Sequence, residues 1–233
     1  MKRTIPVLLL VILMLMLLLG ACSSGAKEAS TSPNAKKALF VGGGNGDPFL
    51  IQRLKTLGFE VNAKADSEVT AEDAKNAGLI YISYTAKATQ IGTKLAAATA
   101  PIIYSNAKAA VVHNLLKSED QAGTFVHENG LKSIDIVDKK HPIADGFSGN
   151  VEVFSKIGNS SFATPTIKAT IVASAPGEPG KGTIIAFEKG TADTNGKPLP
   201  ARQVFYYVFH DSETKINENG WKLFDAMVKW AAS

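Results

Sequence analysis

Three unbroken apolar runs limit what this chain can fold into: "KKALFVGGG", ending at Gly44, "GLIYISY", Gly78 to Tyr84, and "APIIYSN", Ala100 to Asn106. A strand with no polar alternation has no face for solvent, so each run must be covered on both sides of a sheet. The segments between them carry helical signals. After the first run, Asp47 is expected as N-cap and Pro48 as the first helical residue. Leu50, Leu54 and Leu57 then recur on one face, with Phe49 and Ile51 widening it, and Gly58 stops the helix. Phe59 to Ala65 alternates like a strand. Thr70 and Asp73 form a capping box for a short helix to Asn76. A helix is expected over Ala86 to Ala98, with Ile91 and Leu95 inward, and another over Ala109 to Leu116. Strand and helix thus alternate four times, the pattern of an α/β domain with a parallel sheet.

The second half changes character. "TFVHENG", "SIDIVD", "VEVFSK", "TIKATIVAS" and "GTIIAFEKG" read as strands between turn signals, with a hairpin at Ala175 to Gly182. His127 to Gly130 reads as a turn. Ala201 to Phe209 returns to a buried strand. Trp221, Phe224, Val228 and Ala231, with Met227 and Trp230 beside them, make the apolar stripe of a closing helix, where both tryptophans are core residues.

The amino-terminal segment is read as a targeting element. Lys2 and Arg3 precede an apolar stretch, Ile5 to Leu19, shorter than the about 20 residues a membrane span needs. It ends at "LGAC", which resembles a bacterial lipobox with Cys22 as the lipid-bearing residue; the alternative is an uncleaved anchor. Acyl chains on Cys22 give stable attachment to a membrane. The expected organisation is therefore a signal peptide over 1–21, a polar tether over 22–36 and one folded domain over 37–233, on the extracytoplasmic face of the cell membrane. Cys22 is the only cysteine, so the folded part has no thiol for catalysis or metal binding. The formal charge of +4 is not gathered into a stripe, which argues against nucleic acid as a partner.

"DKKHPIADGFSGNVEVF", Asp138 to Phe154, and "ARQVFYYVFHDSE" with "NGWKLFDAMVKWAA", between Ala201 and Ala232, resemble the ThuA-like (trehalose-utilisation) group of the class I glutamine amidotransferase-like superfamily. His141-Pro142-Ile143 with Gly146 is similar to a stretch before an edge strand of that group, and "VFYYVFHDSE" to its penultimate strand. The resemblance implies a flavodoxin-like three-layer sandwich with a mainly parallel sheet and hairpin additions. It also marks a departure. Active amidotransferases place a nucleophilic cysteine at a glycine-flanked elbow, where "IIYSNAKAA", Ile102 to Ala110, offers only Ser105 and Asn106. The histidine common in the first loop of ThuA-like sequences is missing from "GGGNGDP".

Ligands of open α/β sheets bind beyond the carboxyl ends of the strands. That rule selects Asn45, Asp47, Ser83, Tyr84, Thr85, Ser105, Asn106, His210 and Asp211, a polar set suited to a neutral, hydroxyl-rich ligand such as a glycan. The first loop is not a phosphate cradle: it fits neither the dinucleotide fingerprint nor a P-loop, and Asp47 would repel an anion. His210, Ser105 and Asp47 are the catalytic candidates. Asp211 adjoins His210 too closely to orient its ring, which leaves Asp47 or Asp66 for that role. His113, His127, His141 and His210 have no metal-ligand spacing, and neither a metal nor a cofactor is expected. His113 reads as a packing residue and His141 as the holder of a turn. The expected role is binding of a glycan or surface component, with a carbohydrate-modifying enzyme and a structural partner in an envelope complex as alternatives.

Overall fold

The computed structural model describes residues 36–44, 47–117, 125–209 and 211–233. All of them belong to one compact unit, Ser32–Ser233. The expected signal segment, Cys22, most of the tether, Asn45 and His210 lie outside the described residues. No helix among the described residues is long and apolar enough to cross a membrane.

The first half runs β1 (Lys37–Val41), α1 (Asp47–Thr56), β2 (Glu60–Lys64), α2 (Ala71–Lys75), β3 (Leu79–Ile82), α3 (Ala88–Ile91), β4 (Ile102–Tyr104) and α4 (Ala107–Val112). The second half adds β5 (Phe125–Leu131), β6 (Ser133–Ile136), β7 (Gly149–Glu152), β8 (Gly158–Ala163), β9 (Thr170–Ala175), β10 (Glu178–Phe187) and β11 (Gln203–Tyr206), closing with α5 (Glu218–Ala232). Short 3₁₀ turns occupy Pro142–Ala144 and Glu213–Lys215. One sheet holds these strands in the order β2-β1-β3-β4-β11-β10-β9-β6-β7, with β8 joined to β10 and β5 to β8. From β2 to β11 every pairing is parallel, and from β11 outward every pairing is antiparallel. The fold is thus the expected α/β sandwich: a parallel core extended by hairpins.

The two sheet faces separate by residue parity. Ala38, Phe40, Leu79, Tyr81, Ile103, Val204 and Tyr206 join Leu50 and Leu54 of α1 and Leu223, Phe224 and Met227 of α5 in one core cluster. Leu39, Val41, Ile80, Ile82, Ile102 and Phe205 join Ala74, Ile91, Ala109 and Ala110 in the other. Period-2 alternation of side chains across a strand sends neighbouring residues to opposite layers. That is why the unbroken apolar runs were needed. Arg53 of α1 and Asp225 of α5 lock the first helical layer by a bidentate pair at 2.7 and 2.6 Å. Asn217 caps α5 by accepting from the Gly220 amide at 3.0 Å. Trp230 is buried, and Trp221 packs partly buried against the same cluster.

Local details differ from the sequence reading where tertiary contacts intervene. The expected helix over Ala86 to Ala98 is helical only at Ala88–Ile91, because Gly92 takes φ 54° and ends it. Ile91 and Leu95 are fully buried all the same. The helix expected from Ala109 begins at Ala107, since Asn106 caps it through the Ala109 amide. The expected capping box of Thr70 and Asp73 is present. His127 to Gly130 does not form a turn: these residues lie within β5, where His127 pairs with Ser161. Their partner β8 was not foreseen, because "GNSSFA" is too polar to read as a buried strand.

Candidate functional site

The carboxyl ends of β1, β3, β4 and β11 converge on one edge of the sheet. The chain leaves β1 for β2 on one side and reaches β3 on the other, so the strand order switches between β1 and β3. A crevice forms at such a switch in open α/β sheets. Here it is filled by the protein's own polar side chains. Asp47, 3% exposed, is the first residue of α1. Its carboxylate does not reach forward as the expected N-cap. It turns back, accepting from the Gly44 amide at 2.8 Å, the Ser83 hydroxyl at 2.5 Å and the Thr85 hydroxyl at 2.8 Å. Thr85 Oγ1 accepts in turn from the Gly43 amide at 3.1 Å. A buried charge is tolerated when its lone pairs are met in this way.

This arrangement explains the glycine run. A Cβ on Gly42 would sit 2.5 Å from Asp47 Oδ2 and 2.8 Å from Ser83 Cβ, and one on Gly44 would collide with Thr85 Cγ2. Gly43 faces open space. Two of the three glycines are therefore required by close approach, not by turn geometry.

The next loops are similarly committed. Asn106 Oδ1 caps α4, and its amide group donates to the Ala86 carbonyl at 2.6 Å and the Tyr84 carbonyl at 3.2 Å. Ser105, 1% exposed, shares a 2.5 Å hydrogen bond with the Tyr81 hydroxyl. Both were candidates for ligand contact, and both have their hydrogen bonds satisfied within the fold. At the rim, the Tyr84 hydroxyl donates to Asp211 Oδ1 at 2.9 Å and accepts from the Asp211 amide at 3.1 Å. Phe209 stands edge-on to Tyr84, with ring centroids 5.5 Å apart. Burial raises the Tyr84 hydroxyl well above its ordinary range, so it stays protonated.

Asp211 adopts the left-handed conformation, φ 59°, and turns the chain sharply after β11. The turn brings Ser212 and Glu213 back beneath the rim. Ser212 Oγ accepts from the Asn159 amide at 2.6 Å, which ties the turn to β8. Glu213 is 1% exposed, and neither carboxyl oxygen meets a partner from another described residue. Burial first, then the charges of Asp47 and Asp211, push its carboxyl up to about 7. The buried hydroxyls of Ser160 and Ser161 have no partner among the described residues, whereas those of Tyr206 and Tyr207 meet each other. Tyr206, Tyr81 and Glu213 act on one another electrostatically, so they share one neighbourhood. Native interiors leave few such groups unmet, and a buried carboxyl without a partner needs an explanation.

Sequence reasoning missed Glu213, Tyr206, Tyr207, Ser160 and Ser161. The one available signal was the glutamate just beyond the strand-terminal "FHDSE". The remaining histidines lie elsewhere. His113, 4% exposed, donates from Nε2 to the Gly92 carbonyl at 3.0 Å and accepts from the Tyr104 hydroxyl at 2.9 Å. Burial lowers it to about 4, so it stays neutral. His141 Nδ1 accepts from the Ile143 amide at 3.2 Å, holding its turn at the amino end of β11 beside Trp230. A cleft of about 710 Å³ opens there among His141, Arg202, Lys222 and Trp230, at the opposite edge from the carboxyl ends. Among the described residues no three His, Cys, Asp or Glu side chains converge to hold a metal ion.

The close approach of the glycine run and the burial of Glu213 can both be tested by unfolding. Gly44→Ala should lose about 1–3 kcal/mol in urea unfolding, as overpacking does, while Gly43→Ala should stay within about 0.5 kcal/mol of the parent. Glu213 binds its proton more tightly folded than unfolded. Its favourable contribution is full below about pH 4.5 and lost as pH rises to about 7. Glu213→Gln should therefore gain up to about 3 kcal/mol over the parent at pH 8 and much less at pH 4.5. An equal difference at both pH values would exclude a buried, titrating carboxyl.

Comparison with known proteins supplies the fold and no more. No family model matches the chain, and no curated protein matches it. Among solved structures, a GMP synthase-like protein of Thermoplasma acidophilum is similar at TM-score 0.58 and 15% identity, over 84% of this chain and 94% of that one. A ThuA-like protein of Bacteroides uniformis is similar at TM-score 0.46 and 12% identity, over 84% and 91%. The first likeness agrees with the strand order and layers described above: the chain has the flavodoxin-type fold of class I glutamine amidotransferase-like proteins.

Proposed function

We propose that this chain is an extracytoplasmic lipoprotein, anchored through Cys22, whose amidotransferase-like domain binds a hydroxyl-rich glycan or surface component and does not transfer amide nitrogen. The observation that carries the binding reading is the buried carboxyl of Glu213, two residues past the rim residue Asp211 and unpartnered among the described residues. Binding sites for small polar molecules combine apolar walls with a few convergent polar groups. The aromatic pair Tyr84 and Phe209 at the rim is the kind of surface on which sugar rings pack.

Two features speak against nucleophilic chemistry at Ser105. Its hydroxyl is buried against Tyr81, and no backbone strain marks it: the non-glycine residues with positive φ are Asn114, Asp145 and Asp211 among those described. A nucleophile elbow needs a sharp, strained turn that exposes the side chain. The lipid anchor is supported by the small residues before Cys22 and by its being the sole cysteine.

Cys22→Ala should release the protein from the membrane fraction and abolish acylation. Retention with unchanged processing would refute the anchor. Separately, the soluble domain over 37–233 should bind components of a glycan array without turnover. Turnover of a bound sugar would replace the binding reading with an enzymatic one.

A further inference from the structure

Strand β2 ends the sheet on one side and, among the described residues, pairs with β1 alone. The Glu60 amide donates to the Lys36 carbonyl, and the Lys64 carbonyl accepts from the Gly42 amide. Backbone direction alternates along a strand, so Val61 and Ala63 turn their N–H and C=O groups outward. Such a row is a template for another strand unless the edge is blunted. The other end of the sheet is blunted. At β7 the side-chain amides of Asn217 and Asn219 donate to the Glu152 carbonyl at 3.0 and 3.2 Å, and the strand opens on Gly149 at φ 66°. By contrast, β2 keeps an unbroken register with β1 from Glu60 to Lys64 and contains no proline.

We propose that β2 is a self-pairing edge: two copies of the chain join antiparallel through it, about a two-fold axis at Asn62, and the sheet runs on from one copy into the next. This does not rest on the binding reading above.

The strand reads Glu-Val-Asn-Ala-Lys. Reversed about Asn62, it sets Glu60 opposite Lys64 of the second copy and Val61 opposite its Ala63. A two-fold interface requires self-complementarity of this kind. The backbone asks for the same register, because Val61 and Ala63, with their outward amides and carbonyls, become the hydrogen-bonded pair. Pairing Val61 with itself, or Ala63 with itself, would keep the backbone bonds but set Asn62 opposite one charged residue or the other. Opposite charges facing each other across strands therefore select the axis at Asn62. Lys64 already meets Asp73 at 2.7 Å, and its ammonium has three donors, so Glu60 of the second copy adds to that pair. On the other face Leu57, Phe59 and Val61 are only partly buried against the α1 layer, and a paired strand extends their cover. An unrelated peptide strand would find the backbone bonds but not the crossed charges. A five-residue strand is small against the about 800 Å² per partner of a stable interface, so the dimer is weak and its share rises with concentration.

Cysteine cross-linking of the purified full chain in mild detergent tests the axis, with the parent, whose one cysteine is Cys22, as background. On oxidation Asn62→Cys should give a disulfide-linked dimer on a non-reducing gel, because facing non-hydrogen-bonded residues stand about 4.5 Å apart at Cα, within disulfide reach. Glu60→Cys should not, since the two copies of that residue lie about 13 Å apart along the strands. Adding Ala63→Pro removes an outward N–H that an edge strand can spare, and should cut the Asn62→Cys dimer band at least about tenfold while near-ultraviolet circular dichroism stays native. In sedimentation, Glu60→Lys sets like charges opposite each other and should weaken self-association several-fold. A monomeric Asn62→Cys chain would overturn the proposal. So would a dimer band indifferent to Ala63→Pro, which would mark another surface. Equal cross-linking of Glu60→Cys, or association unchanged in Glu60→Lys, would overturn the axis at Asn62.

Discussion

The carboxylate of Asp47 is the contact on which this edge of the molecule depends. It stands at the reversal of strand order between β1 and β3, where the layers would otherwise leave a crevice, and draws together the ends of both strands and the start of α1. Removing one partner from such a cluster leaves a buried charge unmet, which costs far more than a surface contact of equal length. The close approach of Gly42 and Gly44 to Asp47, Ser83 and Thr85 is a consequence.

At the end of β11 the device is a turn. Asp211, in the left-handed conformation and pinned by Tyr84, folds Glu213 under the strand ends, and β8 lies close enough to bond Ser212 and the Tyr207 carbonyl. Glu213 is therefore kept from water by elements from distant parts of the chain. Its elevated proton affinity and the expected pH dependence of stability share one cause: a carboxyl buried without a partner among the described residues.

The sequence was a good guide to the parallel half of the fold, because burial on both faces demands unbroken apolar runs and helices demand their own period. It was a poorer guide to candidates for the site. Asp47, Ser105 and Asn106 lie at the foreseen carboxyl ends, yet the fold uses them to cap, bridge and seal. Asn45 and His210 fall outside the described residues. Glu213 went unnoticed because a glutamate so soon after a strand looks like an ordinary surface residue until its surroundings are known.

The amino-acid order alone determined the alternation of strands and helices, the capping box at Thr70, the hairpin after Ala175, the tryptophan-bearing face of the last helix and the absence of any thiol beyond Cys22. These depend on local periodicity, backbone preference or simple counting. Tertiary structure decided which acceptors were spent and which were left over. Hydrogen-bond satisfaction depends on partners distant in sequence: Ser83 and Thr85 for Asp47, Tyr81 for Ser105, and none among the described residues for Glu213.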